Sequence, residues 1–111
     1  MGKSSREKGK RGELEVAALL RAHGYAGSRG QQHKGGADSP DVTGLPGVHI
    51  EVKRTESFSL YPALAQSIRD AGDDELPVVI HRRNGQKWVV VLDFDDFMGL
   101  YRKWQEGKNN D

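Results

Sequence analysis

Six residues, Val48-His49-Ile50-Glu51-Val52-Lys53, alternate strictly between apolar and polar. That period belongs to an extended strand, whose successive side chains point to opposite faces. Val48, Ile50 and Val52 are thereby assigned to a core, and His49, Glu51 and Lys53 to the other face. Gly44-Leu45-Pro46-Gly47 is turn chemistry, so Pro40-Asp41-Val42-Thr43 folds back as the other arm of a hairpin.

Helical patterns flank this hairpin. Glu13 to His23 holds no Gly, Pro or Asn, and Gly24 is a stop signal; Ser5 is a candidate cap. Leu14, Val16, Ala17, Ala18, Leu19 and Leu20 surround most of this helix, which predicts packing on more than one side. A second helix is expected over Tyr61–Ile68, with Pro62 in its first turn and an end near Ala71-Gly72. Leu76–His81 and Trp88–Leu92 read as a hairpin about Asn84-Gly85; the continuous apolar return run reads as a central strand buried on both faces. Asp93 is placed to cap a last helix carrying Phe94, Phe97, Met98, Tyr101 and Trp104 at amphipathic spacing. Phe94 and Phe97 are expected in the core, Tyr101 and Trp104 nearer the surface. The element order predicts an α/β fold, a mixed β-sheet flanked by helices.

The 111 residues suit a single domain. Within it, residues 1–10 have the composition of a basic, flexible arm, 27–39 of a mobile loop and 106–111 of a frayed tail. A net charge of +1 hides +4 within residues 1–12, and Arg82, Arg83 and Lys87 form a second basic cluster. Such an arm is either solvated or tracks phosphates. Cysteine is absent, which excludes disulfides, thiolate zinc sites and a cysteine nucleophile. Any metal must be held by oxygen or imidazole, which favours magnesium, with manganese as a substitute. No apolar run has the length of a membrane span or a signal peptide, so a cytoplasmic protein without a membrane partner is expected.

Glu51 and Lys53 point the same way, about 7 Å apart along the strand. If Gly44–Gly47 is the turn, the partner of Asp41 is residue 50, or Glu51 if a bulge shifts the register by one. Carboxylates about 5 Å apart across two strands repel, and a divalent cation relieves that repulsion. Lys53 then stands where an ammonium can hold a water attacking phosphorus, or neutralise the charge of the pentacovalent phosphodiester. Glu13 shares a helix face with Val16, Ala17 and Leu20, where a carboxylate needs a partner such as a metal-bound water. Glu15, four residues after Arg11, has a simple surface ion pair. His49, on the same face as Glu51, reads as an ordinary strand histidine.

The sequence resembles the PD-(D/E)xK nuclease superfamily: Pro40-Asp41, nine residues, then Glu51-Val52-Lys53. Lys8-Gly9-Lys10-Arg11-Gly12-Glu13, running on to Leu19-Leu20 and His23-Gly24-Tyr25, is similar to the opening of archaeal-type Holliday junction resolvases and their phage relatives. The resemblance covers roughly residues 8–92. It implies a restriction-endonuclease-like core, a magnesium-dependent endonuclease and a homodimer that places paired nicks across a branched, four-way DNA junction. It puts Glu13 at the family's catalytic glutamate, gives Val52 a backbone carbonyl on the metal, and places Gln66 near the scissile phosphate. Ser28 corresponds to the family's serine-bearing segment, and Arg29-Gly30-Gln31-Gln32 looks like phage and prophage members. Catalysis is thus assigned to Glu13, Asp41, Glu51, Lys53 and Gln66, and metal binding to Glu13, Asp41, Glu51 and Val52. Lys8, Lys10, Arg11, Ser28, Arg29, Gln31, Gln32, Lys34 and Arg54 are candidates for DNA contact. The alternatives are another PD-(D/E)xK endonuclease (a nickase, flap or restriction-like enzyme) and a non-catalytic nucleic-acid-binding module.

Overall fold

In the computed structural model, which describes residues 2–30 and 39–109, the alternating strand is the middle of the sheet. The elements are α1 (Gly2–Ala22), β1 (Ser28–Arg29), β2 (Val42–Thr43), β3 (Val48–Arg54), α2 (Leu60–Asp70), β4 (Leu76–Arg82), β5 (Val89–Val91) and α3 (Phe94–Asn109). The five strands lie in sequence order, β1-β2-β3-β4-β5. β3 and β4 are parallel, joined by the α2 crossover, and every other pair is antiparallel. This is the mixed, helix-flanked α/β sheet that the element order predicts.

α1 buries one stripe: Gly12, Val16 and Leu20 at intervals of one turn, with Glu13 and Ala17 beside them. Val16 and Ala17 pack with Val42, Ile50, Val52, Val78 and Ile80, the core cluster on one face of the sheet. Leu14 and Leu19 remain exposed, so the helix is not packed on several sides as its apolar content suggested. The close approach needs Gly12, where a Cβ would stand 2.6 Å from Cβ of Arg54. The helix starts at Gly2, so the basic segment 2–10 is its first half rather than an arm. Glu7 and Arg11, one turn apart, suit that extension, and Lys8 is tied down by Glu56 at 3.1 Å. At the other end, residues 106–109, expected as a frayed tail, continue α3. Of the expected 27–39 loop, Ser28–Arg29 is the edge strand β1.

Trp88–Leu92 does not supply the central strand. Only Val89–Val91 joins the sheet, as an edge strand, and Val89 and Val90 are exposed. β3 holds the centre because α1 and α2 cover its two faces, which buries His49, Ile50, Glu51 and Val52 together. Phe94 and Phe97 also contradict their expected place in the core: both are exposed, and no α3 residue is buried. The Asp93 cap forms as expected, its Oδ2 accepting from the N–H of Asp95 at 3.0 Å.

The β2–β3 turn fixes the register on which the polar face depends. Val42 pairs with Ile50, one residue off the tight-turn count. Gly44 makes this possible with φ of 126° and close contact with Ala26, whose carbonyl oxygen would lie 2.7 Å from an added Cβ. Gly44→Ala is therefore expected to destabilise the protein by about 2–3 kcal/mol in urea unfolding. An unchanged midpoint would show that the turn accepts a side chain.

Candidate active site

The shifted register sets Asp41 across from Glu51. Asp41 N–H donates to the Ile50 carbonyl at 2.9 Å, and Val52 N–H donates to Asp41 Oδ2 at 2.8 Å. The Asp41 side chain is thus tethered to the β3 backbone between the two polar positions. The Asp41 and Glu51 carboxyl groups are in hydrogen-bond contact. Burial, and after it the charge of Asp41, pushes the Glu51 carboxyl from 4.5 up to about 7, against an opposing hydrogen bond from His49. Oxygen donors sharing a buried surplus of negative charge fit a hard divalent cation. Because N–H and C=O of a strand residue leave on the same side, the Val52 carbonyl is directed towards the Asp41 edge.

α2 covers this polar face with an unusual inward side. Ala63, Gln66, Ser67 and Asp70 turn towards the sheet, while Leu60, Tyr61 and Ile68 face solvent. Small and polar residues inside, apolar residues outside, is the reverse of a helix built for core packing. Each inward polar group has a task. Ser67 Oγ donates to the Val78 carbonyl at 2.9 Å, which seats the helix on β4. Lys53 Nζ donates to Gln66 Oε1 at 3.4 Å, so Gln66 meets the lysine as the sequence suggested. His81 Nδ1–H donates to the Lys53 carbonyl at 2.8 Å while its ring stacks on Phe58 at 3.9 Å. His81 was not foreseen; it holds the backbone of Lys53.

Glu13 reaches the same region from α1. It accepts from Arg29 Nε at 2.6 Å, and both Asp41 and Lys53 act on its charge. Burial raises its pKa, with Asp41 adding and Arg29 and Lys53 opposing. The chain therefore brings Glu13, Asp41, Glu51, Lys53 and Gln66 to one place. Glu15 is not paired with Arg11 in the expected surface ion pair. It takes two bonds from Arg82, at 3.1 and 3.2 Å, and one from Trp88 Nε1 at 3.1 Å, tying α1 to the β4–β5 hairpin.

Two further groups belong to this cluster. His49, only 1% exposed, shares a 2.7 Å hydrogen bond with Glu51 Oε2. Its Nδ1 lies 3.8 Å from Glu75. Ligand atoms of His49, Glu51 and Asp70 all lie within 4.8 Å of one another. His49 is therefore no ordinary strand histidine; it fixes one oxygen of Glu51. The signal was present in the alternation, which puts His49 on the Glu51 face, but the helix that closes that face was not visible locally.

With this geometry in place, the fold can be compared with known proteins. It aligns with the solved structure of Hjc from Archaeoglobus fulgidus, a Holliday junction resolvase from an archaeal hyperthermophile. The match has a TM-score of 0.59 and 24% identity, over 77% of this chain and 72% of that one. The chain has the Holliday junction resolvase fold. No protein-family model and no curated protein matches the sequence.

On this resolvase fold the basic residues are unevenly committed. Lys8 and Arg54 both donate to Glu56 Oε2, at 3.1 and 3.0 Å, and Arg54 also bonds Asn84. Lys8, the Asn84 N–H and Arg54 hold the Glu56 carboxyl down at about 2. Lys10 and Arg11 are exposed on α1, and Ser28 is exposed on β1 beside Arg29. Gln31, Gln32, His33 and Lys34 lie outside the described residues. No described helix is long and apolar enough to cross a membrane.

Proposed function

We propose that the protein is a divalent-metal-dependent endonuclease that acts as a homodimer. It resolves four-way DNA junctions by paired nicks in a bacterial or phage-infected cytoplasm. The observation that carries this reading is the convergence of Asp41, Glu51, Lys53 and Gln66, with Glu13 beside them, on the resolvase fold. Asp41, Glu51 and the Val52 carbonyl, with Glu13, hold magnesium, for which manganese substitutes. The ion, when bound, polarises the phosphate and acidifies a bound water. Lys53, steadied by Gln66, presents its ammonium to the attacking water or to the charge that gathers on phosphorus. His49 keeps Glu51 in one orientation, as outer partners do for metal ligands. Lys8, Lys10, Arg11, Ser28, Arg29 and Arg54, with Gln31, Gln32 and Lys34, contact the phosphate backbone. For Lys8 and Arg54 this means exchanging Glu56 for phosphate, a low-cost exchange between exposed groups.

The test compares a four-way junction with a linear duplex of the same sequence. The junction is expected to be cut in magnesium or manganese and left intact in chelator, with the duplex uncut. Equal cutting of both would reassign the enzyme to another nuclease activity. Cutting in chelator would remove the metal from the mechanism.

A further inference from the structure

α3 is a helix without a partner. It makes at most marginal contact with the other described elements, and none of its residues is buried. Yet Phe94, Phe97, Tyr101 and Trp104 run along one face, 72%, 48%, 39% and 58% exposed, with Leu100 at 48% beside them. A helix of 16 residues is marginal in water unless its apolar face is packed. At the 150–250 Å² that an aromatic side chain carries, this stripe leaves on the order of 600 Å² open. That approaches the roughly 800 Å² per partner of a stable interface and is at the upper end of what a monomer usually exposes.

The charges beside the stripe indicate what covers it. Asp95 and Arg102 stand seven residues apart, on one flank of the stripe; Asp96 and Lys103, also seven apart, stand on the other. The acidic member of each pair is near the start of α3 and the basic member near its end. When two copies of such a helix lie antiparallel about a two-fold axis, each flank meets the same flank of its partner, reversed. Asp95 then faces the partner's Arg102, Asp96 faces the partner's Lys103, Phe94 faces the partner's Trp104 and Phe97 faces the partner's Tyr101. A parallel arrangement would set like charges together.

We infer that α3 is the dimerisation element, docking antiparallel on α3 of a second copy of this chain. The inference deepens the proposed function and rests on it only for the existence of a homodimer. None of the residues assigned to the active site lies on α3 or β5. The other exposed apolar face, Leu60, Tyr61 and Ile68 on α2, is shorter and is not part of this interface.

Sedimentation velocity on the full chain tests this. The wild type is expected to be dimeric at micromolar concentration. Phe97→Glu, whose site is already exposed in one protomer, is expected to give a folded monomer with unchanged circular dichroism. Asp95→Lys with Asp96→Lys is expected to weaken dimerisation at least about tenfold through like-charge contacts. Adding Arg102→Glu and Lys103→Glu to that variant is expected to restore it, which a merely damaged helix would not allow. Tyr61→Ala is expected to leave the dimer intact. A monomeric wild type, a dimer indifferent to the α3 changes, failure of the fourfold reversal to restore association, or loss of the dimer in Tyr61→Ala would each overturn the inference. Nicking of DNA by the same variants reads the chemistry separately. A monomer that still nicks leaves the active site standing, and a dimer that cuts nothing sinks the nuclease reading but not the interface.

Discussion

Glu51→Gln is expected to abolish junction cleavage, a loss of at least about a thousandfold, while folding and junction binding persist. The substitution keeps the shape of a side chain that is only 2% exposed and removes the charge that, with Asp41, fits a divalent ion. Lys53→Ala is expected to be as damaging for a different reason. The chain stays folded, because Lys53 is bonded through its side chain only to Gln66, at a long 3.4 Å. What disappears is the ammonium beside the carboxylates. Lys53→Arg is not expected to rescue it, since a planar guanidinium does not place a compact positive charge where an ammonium stands. Cleavage assays on a labelled junction, paired with gel-shift binding, separate the two effects. Wild-type cutting rates in either the Gln or the Ala variant would defeat the mechanism.

What could be read in advance follows from range along the chain. The β3 alternation and the Asp41…Glu51-x-Lys53 spacing are local, and a strand's two-residue period converts them directly into a shared face. The register was left between two choices because one residue of slip turns on the conformation of a single glycine, Gly44. Apolar content misplaced β5 and the aromatic start of α3. Hydrophobicity demands burial but does not name the surface that supplies it, and here the first described protomer supplies none. The same limit hid Asp70 and downgraded His49. The partner of a strand residue on the far side of a βαβ crossover is chosen by how the helix returns over the sheet. The inverted amphipathicity of α2, with Gln66, Ser67 and Asp70 inward, becomes meaningful only once that return is known. Departures from packing rules of this kind gather at functional sites.

The second large effect concerns stability, and it follows from the same buried pair. A carboxyl that titrates at about 7 when folded and at 4.5 when free holds its proton more tightly in the folded state. It therefore favours folding while protonated, fully below about 4.5, and that favour is lost as pH rises through 7. The amount at stake is about 3 kcal/mol. Other carboxylates also titrate as the pH falls, so the informative quantity is the difference between the wild type and Glu51→Gln without metal. That difference is expected to be near zero around pH 4.5. It should grow in favour of the variant to about 3 kcal/mol by pH 8, or about 10 °C in melting temperature. Magnesium or manganese at pH 8 should then narrow the gap by stabilising only the wild type, because a ligand of the folded state adds its binding free energy. A gap that stays constant across this range would mean that Glu51 ionises as an ordinary carboxylate. Asp41 and Glu51 would then not oppose one another, and the physical reason for a cation between them would be gone.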